Sequence, residues 1–191
     1  MPLTLNDLPN AALVKNETEK IHADVEGLLL PKLSAIQTTD DYAAILKMFY
    51  GYFKPVEGAI AAHVHPEHLP DIGERRNAAL LLHDLCQIGH LADHPSICTT
   101  LPHITNTAQA FSALYVLEGS TLGGKYIAKM LAKNPAIPNG ATRFFSGYGE
   151  QTGSKWKRFL KVFNQQSDSD AMLASAIETF FYLKGWMQQA L

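Results

Sequence analysis

The 191-residue sequence has two cysteines, Cys86 and Cys98, and no Cys-x-x-Cys pair. That speaks against a disulfide-built scaffold and a thiolate zinc site, and it fits a reducing, cytoplasmic compartment. Neither sign of charge is in excess. Lys and Arg total 16, Asp and Glu total 18, and the formal net charge is -2. A sequence-independent nucleic-acid binder needs a basic face to displace counterions, so no nucleic-acid partner is expected. No apolar run approaches the roughly 18 residues of a membrane span. The opening Met1-Pro2-Leu3-Thr4-Leu5 has neither the basic nor the apolar region of a signal peptide, so no membrane partner is expected either. Strand alternation closed by hairpin turns is missing, as is any strand–helix–strand pattern.

What is present is helical periodicity. Apolar residues recur three or four apart over 11–30, with Asn10 as the N-cap and Pro31 as the stop. Tyr42, Ile45, Leu46, Phe49, Tyr50 and Phe53 form one stripe of a second helix, opened at Thr39 and broken or kinked at Lys54-Pro55. A short helix over 56–64 and a loop over 65–70 follow. A third helix is expected over 72–92, then loops at His94-Pro95 and Leu101-Pro102. Asn106 or Thr107 opens a long apolar helix that is interrupted at Gly119, Gly123 and Gly124 and resumes to about Lys133. A loop over 134–140 leads to 144–149, whose structure the pattern does not assign. Helices over 153–163 and 171–191 close the chain, joined by a polar linker over 165–170. The expectation is one all-α domain, 1–191, of roughly six to eight helices.

Three constellations could carry chemistry. The first is Glu118-Gly119-Ser120-Thr121-Leu122-Gly123-Gly124-Lys125. Each glycine inside a helix costs about 1 kcal/mol against alanine, so something should compensate. Either a helix ends or crosses another closely, or bare backbone lies against a flat ligand. The segment is neither a Rossmann fingerprint nor a P-loop, and Ser120 lacks the G-x-S-x-G setting of a hydrolase nucleophile.

The second is His22, one of eight histidines. Glu26 stands one turn on, where a carboxylate can orient a metal-bound imidazole. Glu19-x-x-His22 is half of a di-iron motif whose other half is missing. His63, His65 and His68 cluster in a loop that reads as solvated helix ends more readily than as a zinc site. The third is Lys157 and Lys161, four apart on one helix face, with Lys15 two turns before His22. They are either solvated lysines or a receptor for a ligand bearing two carboxylates.

Taken together, these residues resemble the biliverdin-producing heme oxygenases, most of all the bacterial branch associated with phytochrome. Lys15-x-x-Thr18-x-x-x-His22-x-x-x-Glu26 resembles the proximal helix of that family, and Leu114-Tyr115-Val116-Leu117-Glu118-Gly119-Ser120 with Gly123-Gly124 resembles its kinked distal helix. Phe144-Phe145 followed by Lys157 and Lys161 resembles its later basic helix, and Pro55, Glu57 and 75–85 also fit.

The resemblance implies an all-α fold with heme sandwiched between the proximal and distal helices. It implies His22 as iron ligand, with Glu26 beside it, and Lys15, Lys157, Lys161 and Tyr115 toward the propionates. Gly119, Gly123 and Gly124 would lie against the heme, with Gly119, Ser120 and Gly123 at the oxygen site. It implies O2 as co-substrate, an external reductase or ferredoxin as electron donor, and biliverdin, CO and ferrous iron as products. Delivery of biliverdin to a bacteriophytochrome is the expected use in that branch. Three positions depart from animal-type members: Ser120 replaces an aspartate, Leu114 replaces a tyrosine near the propionates with Tyr115 adjacent to it, and Lys161 replaces an arginine. A heme carrier or sensor that keeps the fold without turnover is the alternative, and a non-heme helical partner protein is a third reading.

Overall fold

Seven α-helices and two short 3-10 turns, with no strand, make up the regular structure of residues 9–90 and 95–191, which the computed structural model describes. The helices are α1 (Asn10–Ser34), α2 (Thr39–Ala61), α3 (Ala79–Gln87), α4 (Thr107–Leu131), α5 (Arg143–Ser146), α6 (Thr152–Phe163) and α7 (Ser169–Ala190). The all-α expectation holds.

Side-chain caps set three of the seven starts. Thr38 caps α2 through a reciprocal capping box with Asp41, which satisfies two otherwise orphaned N–H groups. Asn106 caps α4 by accepting from Gln109 N, and Asp168 caps α7 by accepting from Ala171 N.

Five expectations are corrected. Asn10 is not the cap of α1, because it lies inside the helix and is buried. Its side-chain amide donates to Phe163 O and Gln166 O, and its oxygen accepts from Ser169 Oγ at 2.7 Å. Pro31 does not stop α1, which runs one more turn to Ser34. So near the end, its missing N–H costs a single bond.

Pro55 does not break α2. Its missing N–H would have met the Gly51 carbonyl, and Cys98 N donates to that carbonyl instead at 2.9 Å. Gly51 permits the approach, since a Cβ there would collide with Ser96 O and the Trp186 ring. The helix expected over 72–92 is a 3-10 turn, Ile72–Glu74, then an extended Arg75 and the short α3. Its expected end and His94 lie outside the described residues. Finally, α4 is helical without interruption through all three glycines.

The helix α7 is the axis of the assembly. α1 lies along it in parallel, tied by Asn10–Ser169 at one end and Lys184–Asp24 (2.7 Å) midway. α4 meets it antiparallel, with Ser175 Oγ donating to Gln109 O and Ser112 Oγ to Met172 O. Although α1 and α4 both pack on α7, they make at most marginal contact with each other. Two aromatic clusters fill the core. Phe49, Phe53, Phe144 and Phe145 join α2 to α5, and Tyr115, Trp156, Phe159 and Phe163 join α4 to α6.

Candidate functional site

The face of α1 that meets the core carries Val14, Thr18, Val25, Leu29 and Leu33, all buried. At about 100° per residue, His22 projects within about 40° of Thr18 and about 20° of Leu29. It belongs to the buried face, yet its side chain is 52% exposed. The core-facing stripe therefore opens at His22. One ring edge rests on buried Phe180 of α7, centroids 5.6 Å apart. His22 Nε2 is 3.8 Å from Glu26 Oε1, too far for a hydrogen bond. That nitrogen has no hydrogen-bond partner among the described residues.

A similar opening occurs on α4. From Ala110 to Leu114 and again from Val116 to Glu118 every residue is buried, whereas Ser120, Leu122 and Gly123 are exposed. The glycines differ in what they face. A Cβ on Gly123 would meet nothing within 4 Å, and one on Gly119 would make an ordinary contact with Trp156 at 3.7 Å. Gly124 is buried, and a Cβ there would strike the Phe145 carbonyl of α5. Gly119 and Gly123 thus leave backbone bare, while Gly124 lets α5 pack.

The cations sort in the same way. Lys15, Lys157 and Lys161 are all exposed. The elements carrying them converge at Phe163, whose carbonyl accepts from Asn10 of α1 and whose ring lies 4.9 Å from Tyr115 of α4. Tyr115 is half-buried, and burial raises its phenol above the ordinary range. The adjacent Lys155 points inward instead, to Asp71 and Glu74, each at 3.3 Å.

Beneath Gly119 lies a polar network that the sequence reading did not single out. Glu118 is 2% exposed and accepts from Arg75 Nη1 and from Tyr148 Oη at 2.7 Å. Arg75 also forks onto Asp71. Burial alone would raise the Asp71 carboxyl, but Arg75 and Lys155 hold it below its ordinary range. Arg76 donates from Nη2 to Leu117 O and to Ser120 Oγ at 2.6 Å, with its guanidinium 4.2 Å from the Phe144 ring centroid. Glu57 accepts from Ala78 N, and burial pushes its carboxyl up to about 7, only partly opposed by that hydrogen bond and by Arg76. Paired arginines in a chain of low charge, and one carboxylate ending an apolar run, were the available signals. The Arg75–Glu118 and Arg76–Ser120 pairs lie more than 40 positions apart in sequence, where no local pattern reaches.

Among the described residues, no three His, Cys, Asp or Glu side chains form a group able to hold a metal ion together. His65 and His68 stack loosely, their ring centroids 5.8 Å apart. None of these helices is long and apolar enough to cross a membrane.

Comparison with known proteins agrees with this architecture. The model of the heme oxygenase family matches residues 86–182, just over half of the chain. A heme oxygenase of Xanthomonas campestris pv. campestris (strain 8004) is 34% identical over 103 residues, which cover 54% of this chain and 59% of that relative. No solved structure matches. The family match takes in the glycine segment of α4 and the lysines of α6, while α1 with His22 lies before it. On that match the chain belongs to the heme oxygenase family.

Proposed function

We propose that this chain is a heme oxygenase: it binds heme and, with O2 and electrons from a separate reductase or ferredoxin, converts it to biliverdin, CO and ferrous iron. The observation that carries the reading is the paired opening. An otherwise buried stripe of α1 is uncovered at His22, and α4, buried from Ala110 to Glu118 except at Tyr115, is uncovered at Ser120, Leu122 and Gly123.

The residues fit such a ligand. His22 offers an imidazole nitrogen without a hydrogen-bond partner among the described residues, on an apolar bed formed by Phe180. Such a nitrogen would hold the iron of heme, and Glu26, one turn on, would orient the ring once its carboxylate turns to the other ring nitrogen. Bare backbone at Gly119 and Gly123 admits a flat macrocycle, since no side chain holds it off. Lys15, Lys157 and Lys161 supply cations for two carboxylates, and Tyr115 stands among the elements that carry them. Fixing those carboxylates fixes the rotation of the ring and so which edge meets the oxygen site.

When bound, heme supplies the redox chemistry. The chain positions it and presents the Ser120 hydroxyl. Delivery of the bilin product to a photoreceptor remains part of the proposal, as does a cytoplasmic setting. A carrier without turnover is the second reading, favoured by one feature: Ser120 has no ionisable group of its own.

Heme titration followed by aerobic reduction tests both. An intense Soret band that His22→Ala abolishes or shifts is expected, then biliverdin and released iron. Absence of the Soret band at equimolar heme defeats both heme readings, and stable heme under reductant and air favours the carrier.

A further inference from the structure

Ser120 is held by a residue from a distant part of the chain. Arg76 Nη2 donates to Ser120 Oγ at 2.6 Å and to Leu117 O. Ser120 Oγ in turn donates to Leu117 O at 2.7 Å. A guanidinium has no acceptor, so the single hydroxyl proton goes to the Leu117 carbonyl. One oxygen lone pair takes the arginine N–H, and one is left.

We propose, resting on the heme oxygenase reading above, that Arg76 is a positioning residue that commits the Ser120 hydroxyl to act at the oxygen site only as a hydrogen-bond acceptor. A water meeting Ser120 must then donate to it. Its other hydrogen would stay available to an acceptor at that site, so a hydroxyl orders a proton-bearing water without giving up its own proton.

Arg76 is built to hold still. Its guanidinium lies over Phe144 at 4.2 Å and near Phe53 at 5.4 Å, and its backbone N–H donates to Tyr148 Oη at 2.7 Å. Those contacts come from α2, α5 and the turn after α5, and Ser120 is on α4. Arg76 Nε is buried without a hydrogen-bond partner, a cost that the two bonds from Nη2 and the aromatic faces must offset.

The test is a double-mutant cycle of Arg76→Met and Ser120→Ala on the heme-loaded protein. The reading is the pH midpoint of the spectral change between its acidic and alkaline ferric forms. Thermal unfolding of each ligand-free variant is measured alongside. With Ser120 present, Arg76→Met should move the midpoint by about half a pH unit or more. In the Ser120→Ala background the same change should move it less than half as far. Arg76→Lys keeps a cation but loses the planar guanidinium that lies on the Phe144 ring, and should give an intermediate shift that also depends on Ser120. It serves as the deciding variant if Arg76→Met does not fold.

Equal shifts in both backgrounds, or a fall in melting temperature with no shift, overturn the positioning role and leave the heme reading intact. A wild-type protein with no Soret band overturns the heme reading, and the positioning role falls with it.

Discussion

Gly123 and Gly124 are neighbours in sequence and opposites in environment. A methyl at Gly123 would enter open space, whereas at Gly124 it would strike the Phe145 carbonyl. Gly123→Ala should therefore stabilise the ligand-free protein by about 0.5–1 kcal/mol, the helix-propensity difference, and weaken heme binding. Gly124→Ala should destabilise by about 1–3 kcal/mol, as overpacking does. Chemical denaturation of both variants checks the opposite signs.

Glu57 makes a second prediction at this scale. Its folded pKa, about 7, lies above the ordinary glutamate value of 4.5 because burial disfavours the anion. Below the unfolded value both states are protonated and the group contributes nothing. The cost develops as pH rises toward 7 and is then constant. Glu57→Gln should thus stabilise by on the order of 2 kcal/mol at pH 8, with solvent screening allowed for. The gain should vanish below about pH 4.5, as unfolding free energies measured across that range would show.

At the scale of elements, α1 owes its place to a side chain that looked like a cap. Asn10 is buried and bonds to Phe163 O, Gln166 O and Ser169 Oγ, tying α1 to the α6–α7 junction. Asn10→Ala should cost about 1–3 kcal/mol, because those partners lose a buried donor and acceptor. It should also loosen Lys15 and His22 relative to α7, read as weaker heme affinity. Asn10→Asp keeps the acceptor for Ser169 but sets a buried carboxylate oxygen against the Phe163 and Gln166 carbonyls, so it should recover none of the loss.

The helices themselves were legible because apolar spacing is local. Their ends were less so. Pro31 and Pro55 read as breaks, yet each is accommodated inside a helix. At Pro55 the reason is Cys98, 43 residues away, which takes up the carbonyl that proline leaves free. The long third helix failed for a similar reason. Arg75 is extended so that it can reach Glu118 and Asp71.

For the whole molecule, the network of Asp71, Arg75, Glu118, Lys155 and Tyr148 is the polar counterpart of the aromatic core. It ties the segment before α3 to α4 and α6. Arg75→Met leaves the Glu118 carboxylate buried without its cation, which should cost about 3–5 kcal/mol. Adding Glu118→Gln removes that charge while keeping an acceptor for Tyr148, so the double variant should recover at least half of the loss. Urea unfolding of the ligand-free proteins measures both.

By itself the sequence determined the all-α class and most helix positions, and it supplied the residue types of the proposed site, because periodicity, caps and glycine cost act over a few residues. It marked His22, the glycines and the lysines as separate features. Tertiary structure alone decided that the stripe of α1 opens at His22, that Gly123 faces open space while Gly124 faces a carbonyl, and that Lys155 is internal while Lys157 and Lys161 are not. It also supplied Arg76 to Ser120. These depend on which distant surfaces cover a residue, and coverage is a property of packing that neighbouring residues do not encode.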